Sequence, residues 1–299
     1  MKVLITGITG FVGRHLASLL LKESYEVGGV VRSNPERLSK EITLHRIDDI
    51  NQADFKRITQ GYDAVIHLAA LVHQPNQSDI NAYMRLNYDV TVNLAKGCLE
   101  NGISKFIALS TSHVYEGLSG SLLENRALLP QTPYAKSKYK ATSELQTLFE
   151  NTQIDWFVLR PPLIYGKGVK GNLQSLSSLI NKLPFVPFKM AKAPRSYISI
   201  TNLCSFILYL LQNSASSGVY NISDNHDLST QQLSDLIAKA QKKSIIQLPI
   251  PKFIMKMLFT LLGRSDHYDK IYSPFNLSVE KALATGWKPK AIDYRDFII

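Results

Sequence analysis

The sequence predicts a doubly wound parallel α/β sheet with a smaller α/β lobe attached, and three observations carry that prediction. Over the first 160 residues short β-branched runs alternate with amphipathic stretches, the runs are near-continuously apolar, and a glycine-spaced turn joins the first run to the first amphipathic stretch. Alternating strands and helices build a parallel sheet covered on both sides. Strands buried on both faces read as near-continuous apolar runs.

Val3-Leu4-Ile5, Val27 to Val31, Ile42 to Ile47, Ala64 to Ala69, Phe106 to Leu109 and Trp156 to Leu159 read as six strands, with helices expected over about 13–23, 51–59, 81–100 and 133–150. The rhythm breaks at Pro161-Pro162 and at Gly166, Gly168 and Gly171, and Pro184, Pro187 and Pro194 punctuate the segment beyond them. A strand over Tyr197 to Ile200 leads into a helix with Leu203, Phe206, Ile207, Leu210 and Leu211 on one face. Further helices are expected at 229–243, 251–262 and 278–285. The break separates a first domain, 1–165, from a second lobe, 166–299, expected to interleave with it. Lys252 to Phe259 suits either a basic amphipathic helix on a membrane or a core helix, and its apolar content favours the core.

With 299 residues, 45% of them hydrophobic, the chain has material for a sizeable core, which excludes a disulfide-stapled scaffold and a disordered chain. Cys98 and Cys204 lie in apolar segments and read as core thiols of a reducing compartment. No apolar run reaches the roughly 18 residues that span a bilayer, and three glycines interrupt the apolar stretch after Met1-Lys2. A cytoplasmic protein without an integral membrane segment is expected, and no metal site. The net charge of +10 is uneven: residues 1–160 hold 17 basic and 16 acidic side chains, residues 161–299 hold 17 and 8. Nucleic acid, a lipid surface or a phosphorylated small molecule would each answer that surplus, and the second lobe is where it would bind.

Gly7, Gly10 and Gly13, in Thr6-Gly7-Ile8-Thr9-Gly10-Phe11-Val12-Gly13, follow the first strand and open the first helix. Glycines there permit a tight turn and close backbone approach to a pyrophosphate, and the helix start adds unpaired N–H groups. The second strand ends in Val31-Arg32-Ser33, with no carboxylate for a free ribose 2′-hydroxyl and a guanidinium suited to a 2′-phosphate. The sharpest chemical signal is Thr132-Pro133-Tyr134-Ala135-Lys136-Ser137-Lys138. Thr132 suits an N-cap and Pro133 the first helical position, which sets Tyr134 and Lys138 one turn apart on the stripe continued by Ala141, Leu145 and Leu148. A lysine there either reaches solvent along its stem or serves the phenol. An ammonium at about 4 Å would favour phenolate by on the order of 4 kcal/mol, about three pKa units; desolvation takes part of that back, and the remainder is expected to bring Tyr134 toward 7, where a general acid or base works best. Upstream, Ser110-Thr111-Ser112-His113-Val114-Tyr115 follows the fifth strand, at the end that faces a ligand crevice.

These motifs together resemble the extended branch of the short-chain dehydrogenase/reductase superfamily, the sugar-nucleotide epimerases, dehydratases and reductases. The resemblance covers nearly the whole chain and is strongest over residues 1–200. It implies a Rossmann sheet holding a nicotinamide dinucleotide, NADP favoured by Arg32 and NAD possible. The expected cofactor contacts are Gly7, Thr9, Gly10, Phe11, Val12, Gly13, Arg32, Asp49, Ile50, Leu68, Ala69, Ala70, Asn87, Ser110, Tyr134, Lys138 and Pro161. Thr111, Tyr134 and Lys138 take the catalytic positions, although Ser110 and Ser112 stand close enough to take the place of Thr111. Thr111, Ser112, His113, Tyr134, Asn172, Arg195 and Arg264 take the substrate positions.

In the 4,6-dehydratases an Asp-Glu pair follows the catalytic Thr. Ser112 and His113 stand there instead, so water elimination is not expected. The resemblance implies hydride transfer at C4 of a UDP-hexose or UDP-N-acetylhexosamine. A 4-keto reductase is favoured by Arg32, a 4-epimerase is the alternative, and a non-catalytic NADP-binding sensor is a second one. The charge surplus then finds a diphosphate rather than nucleic acid. A homodimer through the helices at 81–100 and 133–150 is also implied.

Overall fold

The computed structural model describes residues 1–298 apart from 34, 36, 37, 73–78, 119, 129 and 264. Its strands are β1 (Lys2–Thr6), β2 (Glu26–Val31), β3 (Thr43–Arg46), β4 (Ala64–His67), β5 (Lys105–Leu109), β6 (Ser121–Leu122), β7 (Asp155–Arg160), β8 (Leu163–Tyr165), β9 (Phe185–Val186), β10 (Tyr197–Ser199), β11 (Gly218–Asn221), β12 (Ile246–Gln247) and β13 (Asn276–Leu277). The α-helices are α1 (Phe11–Lys22), α2 (Phe55–Thr59), α3 (Ile80–Met84), α4 (Val90–Glu100), α5 (Pro133–Phe149), α6 (Asn172–Lys182), α7 (Ile200–Gln212), α8 (Thr230–Ala240), α9 (Lys252–Leu261), α10 (Ser265–Tyr272) and α11 (Glu280–Ala284).

Seven strands form one parallel sheet in the order β11-β7-β5-β4-β1-β2-β3, the doubly wound arrangement expected. Winding runs outward from β1 to β3, then resumes beyond β1 with β4, so the order reverses between β1 and β4. Ligands bind beyond the carboxyl ends of strands at such a switch point. One face of the sheet packs against α1 and α7 through Leu16, Leu20, Phe206 and Leu210. The other packs against α2, α4 and α5 through Phe55, Leu94, Leu145 and Phe149. Both thiols lie in these layers, Cys204 in the first and Cys98 in the second, and burial pushes them up, Cys204 to about 12.

Short parallel pairs, β8 with β10 and β9 with β12, lie with α6 and α8 around a third core that contains Tyr165, Leu173, Ile180, Leu233, Ile237 and Phe297. The halves exchange chain: residues 218–221 supply an edge of the main sheet, and β13 pairs with β6.

Departures from the sequence reading have local causes. The stretch 51–59 divides into a 3-10 turn, Ile50–Gln52, and α2, because Asp49 and Asp54 each cap a separate start by accepting from the N–H of Asn51 and of Arg57. The single helix expected over 81–100 carries a π-helical turn at Arg85–Asp89 between α3 and α4, a distortion frequent at functional sites. β8, β11 and α10, of three, four and eight residues, are too short to show a period. The core role expected for 252–259 holds for one face only: in α9 Met255 is buried and Phe259 half-buried in the third core, whereas Phe253, Met257 and Leu261 are exposed. Among the described residues no helix is long and apolar enough to cross a membrane.

Candidate active site

The turn between β1 and α1 fits a phosphate group by its backbone. Gly7 has φ +71°, and a Cβ on it would stand 2.6 Å from Ala69 N, so β1 and β4 meet there more closely than any side chain allows. Gly10 N donates to Gly7 O at 2.9 Å and caps α1 without a side chain. A Cβ on Gly13 would lie 2.3 Å from Gly7 O. The first-turn amides of Phe11, Val12 and Gly13 therefore face the crevice without a side-chain competitor. Thr9 is exposed at the tip, its carbonyl held by Arg14 Nη1 at 2.8 Å.

The facing strand end is fixed by a buried histidine. Thr91 Oγ1 gives its hydrogen to Asn87 O at 2.8 Å, so His67 Nε2 must donate to Thr91, and His67 Nδ1 accepts from Thr6 Oγ1 at 2.7 Å. Thr6 Oγ1 in turn accepts from Ala69 N at 3.3 Å, and Leu68 N donates to Thr6 O at 3.1 Å. Ala70 follows, exposed. Burial, followed by the charge of Lys138, lowers His67 to about 3, so the ring is neutral. The unfolded imidazole, at 6.5, takes up protons first. Stability is then whole above pH 6.5 and falls as pH drops toward 3, by about 2 kcal/mol between pH 7 and pH 5. Urea midpoints at those two pH values check this, and His67→Gln should remove most of the difference.

Arg32 and Asp49 lie beyond the ends of β2 and β3, both exposed. Hydrogen bonds from Asn51, and then the charge of Arg32, hold Asp49 below the usual carboxylate range. The site thus presents a carboxylate within the field of the guanidinium, which the absence of an acid at the β2 end did not suggest. Ile50, half-buried, packs on the α2–α4 core.

The catalytic candidates converge at the ends of β4 and β5. Thr132 caps α5 by accepting from Ala135 N at 3.2 Å, with Pro133 first in the helix as expected. Lys138, Ala141 and Leu145 are buried along one stripe. Thr111 Oγ1 accepts from His113 N at 3.2 Å and hydrogen-bonds the Tyr134 phenol. The Tyr134 ring is held edge-on by Tyr83 at 6.1 Å and by His113 at 5.9 Å between centroids, and His113 Nδ1 lies 2.7 Å from Glu116 Oε1. Ser110 N donates to Leu159 O at 2.7 Å and Ser112 N to Pro161 O at 3.0 Å, which ties this loop to the end of β7. Ser110 Oγ is buried without a hydrogen-bond partner among the described residues.

The electrostatics differ from the expectation. Burial pushes Tyr134 up to about 12 against the hydrogen bond from Thr111, and burial brings Lys138 down to about 8. In the protein alone both groups are biased toward their neutral forms, and the phenol is a hydrogen-bond donor rather than a base at pH 7. The spacing of Tyr134 and Lys138 suggests a Coulomb attraction, but desolvation is the larger effect at the buried Lys138 and the half-buried Tyr134.

Asn87 braces the site. Its Oδ1 accepts from Leu71 N at 2.8 Å, and its Nδ2 donates to Leu71 O at 3.0 Å and Ser137 Oγ at 3.1 Å. Ser137 Oγ donates to Tyr134 O at 2.8 Å. The side-chain amide is engaged by protein, so Asn87 positions α5 against the segment after β4 rather than offering that amide to a ligand. Tyr83, which sequence reasoning missed, stands four residues before Asn87, which stands four before Thr91. That i+4 series of polar-tipped side chains on an otherwise apolar face was the available signal. A second brace joins the strands behind the site: Arg160 Nη1 donates to Tyr115 Oη at 2.7 Å and Tyr115 Oη to Asn221 Oδ1 at 3.0 Å.

The substrate positions are less unified. Asn172 is exposed at the start of α6, behind Gly171 at φ +78°. Arg195 stacks over Phe275 and donates from Nη1 to Ser273 O at 2.6 Å, so it clamps the end of α10 and has no described partner in the Tyr134 cluster. Arg264 lies outside the described residues.

Residues 3–223 match the family model described as the NAD dependent epimerase/dehydratase family. The chain is 33% identical over 300 aligned residues to a UDP-glucose 4-epimerase of Vibrio cholerae, covering 96% of this chain and 90% of that protein. It is 28% identical over 291 residues to an N-acetyl-alpha-D-glucosaminyl-diphospho-ditrans,octacis-undecaprenol 4-epimerase of Escherichia coli O157:H7, covering 95% and 86%. Among solved structures, a UDP-glucuronic acid 4-epimerase from Bacillus cereus in complex with NAD superposes with a TM-score of 0.79 at 23% identity, over 99% of this chain and 94% of that one, so the fold is shared. With a matching family model over most of its length and a relative of that identity, the chain belongs to the NAD dependent epimerase/dehydratase family of enzymes.

Proposed function

We propose that the enzyme is a 4-epimerase of a UDP-linked hexose or N-acetylhexosamine, working with a retained NAD. The observation that carries this reading is the full-length similarity to a UDP-glucose 4-epimerase. The clustering of Thr111, Tyr134 and Lys138 at the crevice supplies the chemistry. Bound there, the nicotinamide would accept a hydride from the sugar C4 and return it. Gly7, Gly10, the α1 start, Leu68 and Ala69 would hold the diphosphate and ribose, with Lys138 and Ser110 beneath them. Tyr134 would take up the C4 hydroxyl proton as its phenolate and give it back, once the positive charges of Lys138 and of the bound oxidised nicotinamide offset the desolvation that keeps the phenol neutral in the protein alone, and Thr111 would orient that oxygen through the hydrogen bond it shares with the phenol. Nothing acidic stands at Ser112 or His113 to drive elimination of water.

The 4-keto reductase favoured from the sequence uses the same three residues, and Arg32 is the observation on its side. The similarities to 4-epimerases support the epimerase over it, and the NADP preference drawn from Arg32 has no support among them. Residues 1–165 as the dinucleotide domain, 166–299 as the substrate lobe, and dimerisation through the helices at 81–100 and 133–150 belong to the same reading.

Incubating the protein with UDP-glucose, UDP-N-acetylglucosamine and their 4-keto derivatives, in the presence of NADPH, separates the two reactions. Interconversion of C4 epimers without net change at 340 nm supports the proposal. Loss of one NADPH per 4-keto sugar, with no epimer formed, refutes it in favour of the reductase. For the cofactor, Arg32→Asp should leave NAD binding within about threefold, and a large loss of NADP binding alone would restore the 2′-phosphate role of the guanidinium.

A further inference from the structure

The outer face of α9 has no part in the chemistry described above. The helix docks on the second-lobe core through Met255 and, one turn on, Phe259. On the opposite side Phe253, Met257 and Leu261 recur at every fourth residue and are 72%, 59% and 76% exposed, with Ile254 and Leu258 broadening the stripe. One exposed leucine is ordinary, whereas a continuous apolar stripe marks an interaction surface. In the same lobe, Phe185 and Ile246 stand side by side in the β9–β12 pair and are also exposed.

Charge identifies the occupant. Between Asp235 and Asp266 the chain has six Lys or Arg and no Asp or Glu. Lys252 and Lys256 are exposed one turn apart on the flank between the docked and the outward faces of α9. An apolar stripe edged by lysines is the pattern of a helix lying in the plane of a bilayer, apolar side inward and cations against lipid phosphates. Ten residues are too few to span it. A second copy of the chain is a poorer fit, because a twofold contact through α9 would bring both lysine sets together with no carboxylate in the segment to pair them.

We propose that α9 is an interfacial anchor, seating Phe253, Met257 and Leu261 among the headgroups of an anionic lipid surface with Lys252 and Lys256 against the phosphates. The inference does not depend on which sugar the active site takes.

The test is co-sedimentation of the full-length protein with vesicles of phosphatidylglycerol and phosphatidylethanolamine, and with vesicles of phosphatidylcholine. Binding to the anionic vesicles that weakens with salt is expected. Phe253→Ser/Met257→Ser/Leu261→Ser should weaken it by more than about a hundredfold, and Lys252→Gln/Lys256→Gln by about 25-fold, on the order of fivefold per lysine. Both variants should keep the wild-type melting temperature and turnover of soluble sugar nucleotide. No binding to anionic vesicles, equal binding to the neutral ones, or undiminished binding by the triple-serine variant would each overturn the proposal. So would a triple-serine variant that turns a dimer into a monomer in light scattering while its vesicle binding stays unchanged.

Discussion

Tyr134→Phe should lower kcat by about a thousandfold while the protein folds normally and still takes up its nicotinamide cofactor. The change removes one oxygen from a ring packed edge-on between Tyr83 and His113, so the ring contacts and the backbone of α5 remain. What disappears is the hydroxyl that shares a hydrogen bond with Thr111 and exchanges the proton of the C4 oxygen. Positioned proton transfer contributes about 10²–10⁴ in rate, and no neighbouring group replaces it at that point: His113 is directed by its Nδ1 toward Glu116. Single-turnover kinetics, with cofactor retention followed by absorbance, check both halves. Retained activity would remove Tyr134 from the chemistry. Because burial pushes the phenol up to about 12 in the protein alone, wild-type kcat/KM should also be sensitive to anything that changes the local field, Lys138→Met foremost.

Gly7→Ala should weaken cofactor binding by at least about a hundredfold. Two effects combine there. An alanine at φ +71° is in the left-handed region, which is unfavourable by roughly 1–2 kcal/mol. Its Cβ would also stand 2.6 Å from Ala69 N and 2.8 Å from Leu68 C, both backbone atoms of the facing strand end, so either the turn or the β4 end must move. A displacement on the order of 1 Å at a binding turn is enough for a hundredfold effect. Gly102→Ala separates the contributions: Gly102 has φ +63° with nothing within 4 Å of a Cβ. That variant should lose stability by the backbone effect alone and bind cofactor as the wild type does. Isothermal titration of the two variants, beside their melting temperatures, makes the comparison. Equal affinities would mean that the β1–β4 contact does not shape the site.

Legibility from sequence followed the range of the forces involved. The β1–α1 turn and the start of α5 were readable because each is specified within eight residues, by glycine spacing in one and by Thr132, Pro133, Tyr134 and Lys138 in the other. The five inner strands, β7, β5, β4, β1 and β2, were readable because burial on both faces leaves a near-continuous apolar run, whereas the edge strand β3 is polar and partly exposed. β11 was not, since four residues become a strand only by completing an edge beside β7. Arg195 matched a binding motif, yet its guanidinium is held by the end of α10, seventy-eight residues on. The acidity of Tyr134 was misjudged for the same reason: a pairwise spacing shows the attraction, whereas the size of the opposing desolvation is set by surroundings that come from distant segments. In α9 the sequence showed an apolar helix with lysines, and only the packing distinguished the face that enters the core from the face that does not.

In the proposed reaction hydride from C4 would pass to one bound nicotinamide and return to the same carbon, while Tyr134 handles the proton of the C4 oxygen. The direct test is to incubate the enzyme with a mixture of UDP-glucose carrying deuterium at C4 and unlabelled UDP-N-acetylglucosamine, without added nicotinamide, and to analyse every C4 epimer by mass spectrometry. Products should arise without external cofactor, each keeping its own C4 isotope. Products formed only when NADPH is supplied, with C4 hydrogen taken from it, would contradict hydride return by a retained cofactor.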